Sequence, residues 1–305
     1  MTNMPHTEVD VVLDAHALNG ECPTWSAAEG VLYWCDTFAG KLHRFDPRNG
    51  VDEAWAMPAW TGSFALGSGG RMLVALRTGL FRFDRCTTRL EPFAPVPFDA
   101  RRFFWNDGKT DPRGRFWVGP AWAPLDTRGE GPKGAPLHRI EPDGTQIAKS
   151  PTVRISNGLA WSADERTMYH ADTLAQQVWA YDVLDIGAGI LGERRTFARV
   201  QAPRGGPDGA ATDTDGCYWS AVYGAGKVVR FTPDGRVERE VALPVPNVTM
   251  IAFGGADLRT AYVTSSAKQF GTERPSDEPH WGALFAFEAP APGVPVPLLD
   301  DAYFS

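Results

Sequence analysis

Six polar residues recur about 10 residues upstream of a repeated aromatic segment: Glu21 in GECPTW, Ser63 in TGSFAL, Asn106 in NDGKT, Asn157 in NGLAW, Asp208 in PDGAA and Thr249 in VTMIAF. Brought together, two carboxylates and two carboxamides would offer oxygen donors carrying two negative charges. That donor set suits a hard divalent cation such as Ca²⁺, Mg²⁺ or Mn²⁺, with water in the remaining positions. Taken singly, Asn-Gly and Asp-Gly pairs are turn formers for backbone reasons. The shared register sets these apart, and Glu21, followed by Cys22-Pro23, has no comparable turn logic. Competing chemistry finds little support. His6, His16, His43, His138, His170 and His280 stand singly, without metal-ligand spacing. Among them His170 is of interest because it shares a strand face with Asp172, for packing or to support a ligand from behind. Cys22, Cys35, Cys86 and Cys217 form no CxxC pair and read as reduced, packed thiols. The chain has no GxSxG elbow, P-loop or dinucleotide-binding glycine motif.

To meet, these residues need elements that repeat in space as they do in sequence. The aromatic segments are VLYWCDTFAGKLHRFD, RMLVALRTGLFRFD, RFWVGPAW with PLHRIEPDG, TMYHADTLAQQVWAYD, CYWSAVYGAGKVVRFTPDG, and AYVTSSA with ALFAFE. Each reads as a pair of strands around a small turn, with turn signals DPRNG (46–50), DPRG (111–114), EPDG (141–144) and TPDG (232–235) between units. Helical patterns are nearly missing; DVLDIGAGILGE comes nearest, but carries three glycines, each costing a helix about 1 kcal/mol relative to alanine. Six units of about 40 to 50 residues fit four-stranded blades, so the expected fold is all-β: a single six-bladed β-propeller domain over 1–305. Inner strands surround the axis of a propeller, so the six polar positions would face one tunnel mouth. Ring closure is expected through EVDVVLD at the N-terminus, paired with the last blade near VPVPLLD. Two insertions, 122–136 and 268–282, are expected to be loops overhanging one face.

Composition agrees. Of 305 residues 43% are hydrophobic and 22% charged, enough apolar surface for a sizeable core. The formal net charge of −7, without a basic block, disfavours nucleic acid or anionic lipid as a partner. No stretch reads as a signal peptide or membrane span, which makes a cytoplasmic protein the expectation.

In the same order, GECPTW, NDGKTDPRGRFWVG, ISNGLAWSADERTMYHADT, PDGAATDTDGCYW and PNVTMIAFGGADLRTAYVTSS resemble the motifs of the SMP-30/gluconolactonase/regucalcin family across nearly the whole chain. The resemblance implies a six-bladed propeller that binds one divalent metal and opens sugar lactones, with metal ligands at Glu21, Asn157 and Asp208. It places Asn106 beside the metal, as ligand or substrate contact. Two positions depart from the pattern. Phe104 stands where relatives often carry a substrate-binding Arg, with Arg101-Arg102 further upstream, and Gly119-Pro120-Ala121-Trp122 replaces a Gly-Thr-Met segment.

The reading that follows is a metal-dependent lactonase acting on a sugar-derived aldonolactone. A divalent ion, Ca²⁺ first and Zn²⁺, Mg²⁺ or Mn²⁺ as alternatives, would polarise the ester carbonyl and acidify a water. Asp208 would also accept the water proton. Asn106 and Arg102 would orient the substrate, with Ser63 and Thr249 lining the wall. The rivals are a phosphotriesterase on the same metal site and a calcium-binding regulatory protein without turnover.

Overall fold

Left-handed glycines end the turns that separate the strands: Gly50, Gly114, Gly144 and Gly235 close the four turn signals with φ between 73° and 84°, a conformation that costs other residues steric strain. In the computed structural model, which describes residues 7–123, 131, 133–268 and 276–305, these turns delimit six four-stranded antiparallel sheets. The first strands of the sheets, Gly20–Ser26, Thr61–Leu66, Phe103–Thr110, Ser156–Trp161, Gly206–Thr212 and Val248–Gly254, contact one another in ring order. The architecture is the six-bladed β-propeller expected, and these are its inner strands. Blades are numbered 1 to 6 in that order.

The core lies between blades. Six apolar clusters of buried residues each join neighbouring blades. Trp117 of blade 3 packs edge-on against Trp161 of blade 4 at 5.7 Å, and Trp219 of blade 5 lies 5.9 Å from Phe253 of blade 6. Both indoles are held by the turn that precedes their strand. Asp111 accepts the Trp117 Nε1–H at 2.7 Å while its other oxygen accepts the Arg113 and Arg115 amides. Asp213 repeats the device with Trp219 at 2.7 Å and the amides of Asp215 and Cys217. One carboxylate thus shapes a turn and aims an aromatic ring at the next blade. Blades approach closely at the axis: a Cβ on Gly62 would stand 1.8 Å from the Trp105 carbonyl of the next inner strand, so only glycine fits there.

Asp10–Leu13 adds the outer strand of blade 6 and closes the ring. Its partner is Leu284–Glu288, with Val11 opposite Phe285, not the VPVPLLD segment. That proline-rich stretch lacks amides where a ladder would need them. It instead crosses the inner strands' far ends, bonding through Val294 to Thr212 of blade 5 and through Leu299 to Leu66 of blade 2. Tyr303 is fully buried against blade 3. The glycine-rich 182–193 stretch forms part of a hairpin, Gln177–Asp185 with Ile190–Arg199. Half of the two insertions (124–130, 132 and 269–275), and His6, fall outside the described residues. Among the described residues no helix is long and apolar enough to cross a membrane.

Asp213→Ala is expected to leave the Trp219 N–H without an acceptor and the buried Arg230 without the carboxylate that accepts its Nε–H at 2.8 Å. Equilibrium denaturation should show a loss of about 3 kcal/mol. Asp215→Ala, whose side chain is largely exposed, should cost less than about 1 kcal/mol.

Candidate functional site

A strand with unbroken pairing would send successive side chains to alternate sheet faces. All six inner strands break that pairing near their starts. The register with the second strand shifts between Glu21 and Thr24, Thr61 and Ser63, Trp105 and Gly108, Asn157 and Ala160, Pro207 and Ala210, and Val248 and Met250. Such bulges re-aim a side chain out of the ladder. Cys22 and Gly158, which follow Glu21 and Asn157, take φ of 52° and 65°, turning the chain sharply behind each polar residue.

Glu21, Asn106, Asn157 and Asp208 consequently line one cavity of about 370 Å³ at the mouth of the axis, together with Asn19, Phe38, Phe104, Trp122, Tyr223 and Lys268. The carboxamides are oriented by a chain of hydrogen bonds. Asn106 Nδ2 donates to Asn157 Oδ1 and to the Ser156 carbonyl, both at 2.9 Å. Asn157 Nδ2 donates to Thr173 Oγ1 at 2.7 Å, and Thr173 donates to the Pro207 carbonyl at 2.8 Å. Three of the four amide hydrogens are spent on these partners, which leaves Asn106 Oδ1 and the second lone pair of Asn157 Oδ1 for whatever enters. Behind this layer His170 Nε2 lies 2.8 Å from Ser156 Oγ. Burial lowers the His170 pKa to about 3, so it stays neutral. Asp172 accepts the amides of Arg154 and Leu174 at 3.0 Å, holding the loops behind Asn157.

Electrostatics make the site unusual. Burial, then Asp208 and Asp107, push the Glu21 carboxyl well above the usual carboxylate range, against the one side-chain hydrogen bond it accepts, from Asn19 at 3.2 Å. Burial and Asp107 do the same to Asp208. Like charges brought together without a compensating cation resist ionisation, and a divalent ion between them would relieve both. Among the described residues no three His, Cys, Asp or Glu side chains gather as a ligand cluster; a cation here rests on two carboxylates with amide oxygens. The residues present fit that group.

The structure does not bring every expected residue to the cavity. Ser63 and Thr249 are fully buried and are not among its lining side chains. Thr249 Oγ1 donates to the Gly20 carbonyl and lies 2.9 Å from Thr264 Oγ1, while Ser63 Oγ fills the space beside Gly108. Their register matches their neighbours', but they serve the inner wall. Arg102 sits beside the mouth, 3.7 Å from Asp99 and 6.0 Å from the centre of the Trp122 ring, and is likewise not a lining residue. Besides Lys268 in the lining, two charged residues were not legible in the sequence. Asp107 accepts the Leu159 amide at 2.9 Å, and Lys109 donates to the Ala210 carbonyl deeper along the axis. Their signal is the pair of charges two residues apart within NDGKT.

Against known proteins, residues 19–267 match the SMP-30/Gluconolactonase/LRE-like region. The chain belongs to that family. It is 42% identical over 280 residues to 6-deoxy-6-sulfogluconolactonase of Pseudomonas putida, covering 92% of this chain and 94% of that one. Pentonolactonase XacC of Haloferax volcanii is 32% identical, with 93% and 95% covered. The crystal structure of a calcium-binding protein, regucalcin of Agrobacterium tumefaciens, superposes with a TM-score of 0.87 at 26% identity, covering 97% of this chain and all of the other.

Within this family frame, the two departures noted from sequence both fall on the cavity wall. Phe104 packs edge-on against Trp60 at 5.7 Å and lies 6.4 Å from Phe38, and Ala121 and Trp122 continue the lining. One side of the cavity is aromatic where an Arg would have offered donors.

The thiols stay out of the chemistry. Burial pushes Cys22 up to about 12 and Cys217 up to about 11, and Cys35 rises as well. Only Cys86 is exposed. Native protein treated with a chromogenic disulfide reagent should release one equivalent of thiolate rapidly, Cys86→Ser should remove that phase, and all four thiols should react after denaturation.

Proposed function

We propose that this cavity hydrolyses the ring ester of a sugar-derived aldonolactone with the help of one divalent cation held by Glu21, Asn157 and Asp208. The observation that carries the reading is the convergence of Glu21, Asn106, Asn157 and Asp208, from four blades, in one cavity. The names of the relatives support it: one is a sulfogluconolactonase and another a pentonolactonase. Ca²⁺ is the first choice, with Zn²⁺, Mg²⁺ and Mn²⁺ as alternatives, since the donors are oxygen throughout.

A cation bound there supplies Lewis acidity toward an ester carbonyl and lowers the pKa of a water. The protein's own groups do the rest. Asp208, the buried carboxylate beside the ion, accepts the proton of the attacking water. Both hydrogens of Asn106 Nδ2 are committed to protein acceptors, so Asn106 presents Oδ1, which accepts from a sugar hydroxyl or joins the ligands. Water adds to the carbonyl carbon, the ring carbon–oxygen bond breaks, and the ring oxygen leaves as a hydroxyl. The product is the open-chain acid, so each turnover releases one proton near neutral pH. Arg102 acts from beside the mouth through Trp122, shaping the wall and its field.

Acid release from a panel of aldonolactones tests this directly. Turnover should disappear with chelator and return on adding Ca²⁺ or another divalent ion, while phosphotriesters should be poor substrates. Full activity after exhaustive chelation would refute the metal, and metal binding without any lactone turnover would favour a calcium-binding regulatory protein.

Two variants separate proton transfer from metal holding. Asp208→Asn keeps an oxygen but loses the acceptor, and should cost roughly 10²–10⁴-fold in kcat even at saturating metal. Glu21→Gln should weaken metal affinity, with the rate substantially recovered by excess metal. Equal rescue of both would reduce Asp208 to a ligand.

A further inference from the structure

The inner strands carry a second ring of positions toward the mouth. Two residues before each of the six register positions, one alternation along an extended chain, stand Asn19, Thr61, Phe104, Ile155, Gly206 and Asn247. Blades 2 and 6 turn theirs into the wall, as they do Ser63 and Thr249. Thr61 is fully buried, and the buried Asn247 donates its Nδ2 hydrogen to the Lys268 carbonyl at 3.0 Å. Blade 5 has no side chain at this place, since a Cβ on Gly206 would clash with the Thr173 carbonyl. Blades 1, 3 and 4 send Asn19, Phe104 and Ile155 into the cavity. Asn19 is the polar member of these three.

Blades 1 and 4 present this position with the same backbone device. Asp36 accepts the amides of Leu18 at 2.9 Å and Asn19 at 3.1 Å, as Asp172 accepts those of Arg154 at 3.0 Å and Ile155 at 3.4 Å. The Asn19 carbonyl also accepts the Thr37 amide at 2.9 Å. On this fixed backbone the half-buried Asn19 side chain donates once, from Nδ2 to Glu21 Oε1 at 3.2 Å. A carboxylate only accepts, so it orients the amide with Nδ2 toward Glu21. Among the described residues, Asn19 Oδ1 and the second Nδ2 hydrogen have no protein partner.

Donors are scarce in the rest of this lining. Asn106 and Asn157 have three of four amide hydrogens committed, Thr173 gives its hydroxyl hydrogen to the Pro207 carbonyl, and Tyr223 gives its own to the Lys268 carbonyl. Phe38, Phe104, Ala121 and Ile155 add none. Asn19 therefore brings a free donor and a free acceptor in one amide plane. A hydroxyl group answers that pair, because it accepts one hydrogen bond while giving another. Contact with Glu21 sets the amide at the carboxylate end of the cavity. A lactone whose carbonyl is held at that end has the hydroxyl of the adjacent ring carbon as its nearest polar group.

We propose that Asn19 is a substrate-binding residue that reads the hydroxyl on the carbon next to the lactone carbonyl, donating to its oxygen and accepting its hydrogen. The inference rests on the lactonase reading and adds a specificity-determining contact to the same site.

The test takes the aldonolactone of the panel that metal-replete protein opens fastest, and its 2-deoxy counterpart, with spontaneous hydrolysis subtracted. Asn19→Leu, close to asparagine in shape, should lower kcat/KM for the parent lactone by roughly tenfold and leave the 2-deoxy lactone within about twofold, as expected for loss of a neutral hydrogen-bonding partner. Metal is kept saturating, because the bond to Glu21 is lost for both lactones alike. Asn19→Ala, which adds no bulk at the mouth, should give the same collapse of the ratio, and an unchanged melting temperature checks that the fold persists. Calorimetry supplies a readout free of turnover: the open-chain acid should bind metal-loaded Asn19→Leu more weakly than wild type, while its 2-deoxy form binds both equally. An equal change for the two lactones in both variants would overturn the proposal, leaving Asn19 a support of Glu21 and the lactonase reading standing. No turnover of any aldonolactone by the wild-type protein would sink both.

Discussion

Pairing of Asp10–Leu13 with Leu284–Glu288 makes the first described strand part of the last sheet, and the geometry of the cavity depends on it. The core of this molecule lies between blades, so an open ring would leave one pair of blade faces without a partner and let the inner strands drift. Closure converts six local meanders into a fixed circle. Only then do residues from blades 1, 3, 4 and 5 have defined distances from one another.

What the circle holds is unfavourable by itself. Glu21 and Asp208 are buried, and each is pushed toward its protonated form by desolvation and by nearby carboxylates. Asp107 adds a third carboxyl below them, with Lys109 as its nearest compensation. Removing such charges from water costs several kcal/mol per ion unless an opposite charge arrives. The surrounding scaffold tolerates this because its own stability comes from elsewhere: indoles aimed by Asp111 and Asp213, and the apolar clusters between blades. Tension of this kind, concentrated at one mouth of the tunnel, is characteristic of sites built for a ligand.

The rim divides the labour. Carboxylates and carboxamides come from bulged starts of inner strands, where backbone pairing limits movement. Phe38, Trp122 and Lys268 come from second-strand ends and the segments that follow. Polar donors held on strands and wall residues carried nearer the loops let one scaffold keep a set of donors while the wall around them varies. Phe104 belongs to the first group by position and to the second by effect, since an inner-strand residue here becomes part of the aromatic wall.

Turn signals, strand alternation and the sixfold repeat were legible in the sequence because each is encoded by neighbours a few residues apart. The left-handed glycines of the turn signals end strands there, and aromatic strands bury one face regardless of what lies beyond them. The repeat register also gave Glu21, Asn106, Asn157 and Asp208, since a shared offset from a shared element survives the absence of coordinates. That same register could not tell these four from Ser63 and Thr249, which occupy equivalent places yet turn into the wall. The difference lies in what each bulge leaves room for, which depends on the adjacent blade. Lys268, Asp107 and Lys109 went unread for a related reason: a lone charge in sequence looks solvated, and only ring closure shows that it faces the axis or its mouth. Local backbone preferences therefore determined the blades and named most of the polar residues, whereas closure and inter-blade packing, which join residues over two hundred positions apart, decided which of them share a cavity.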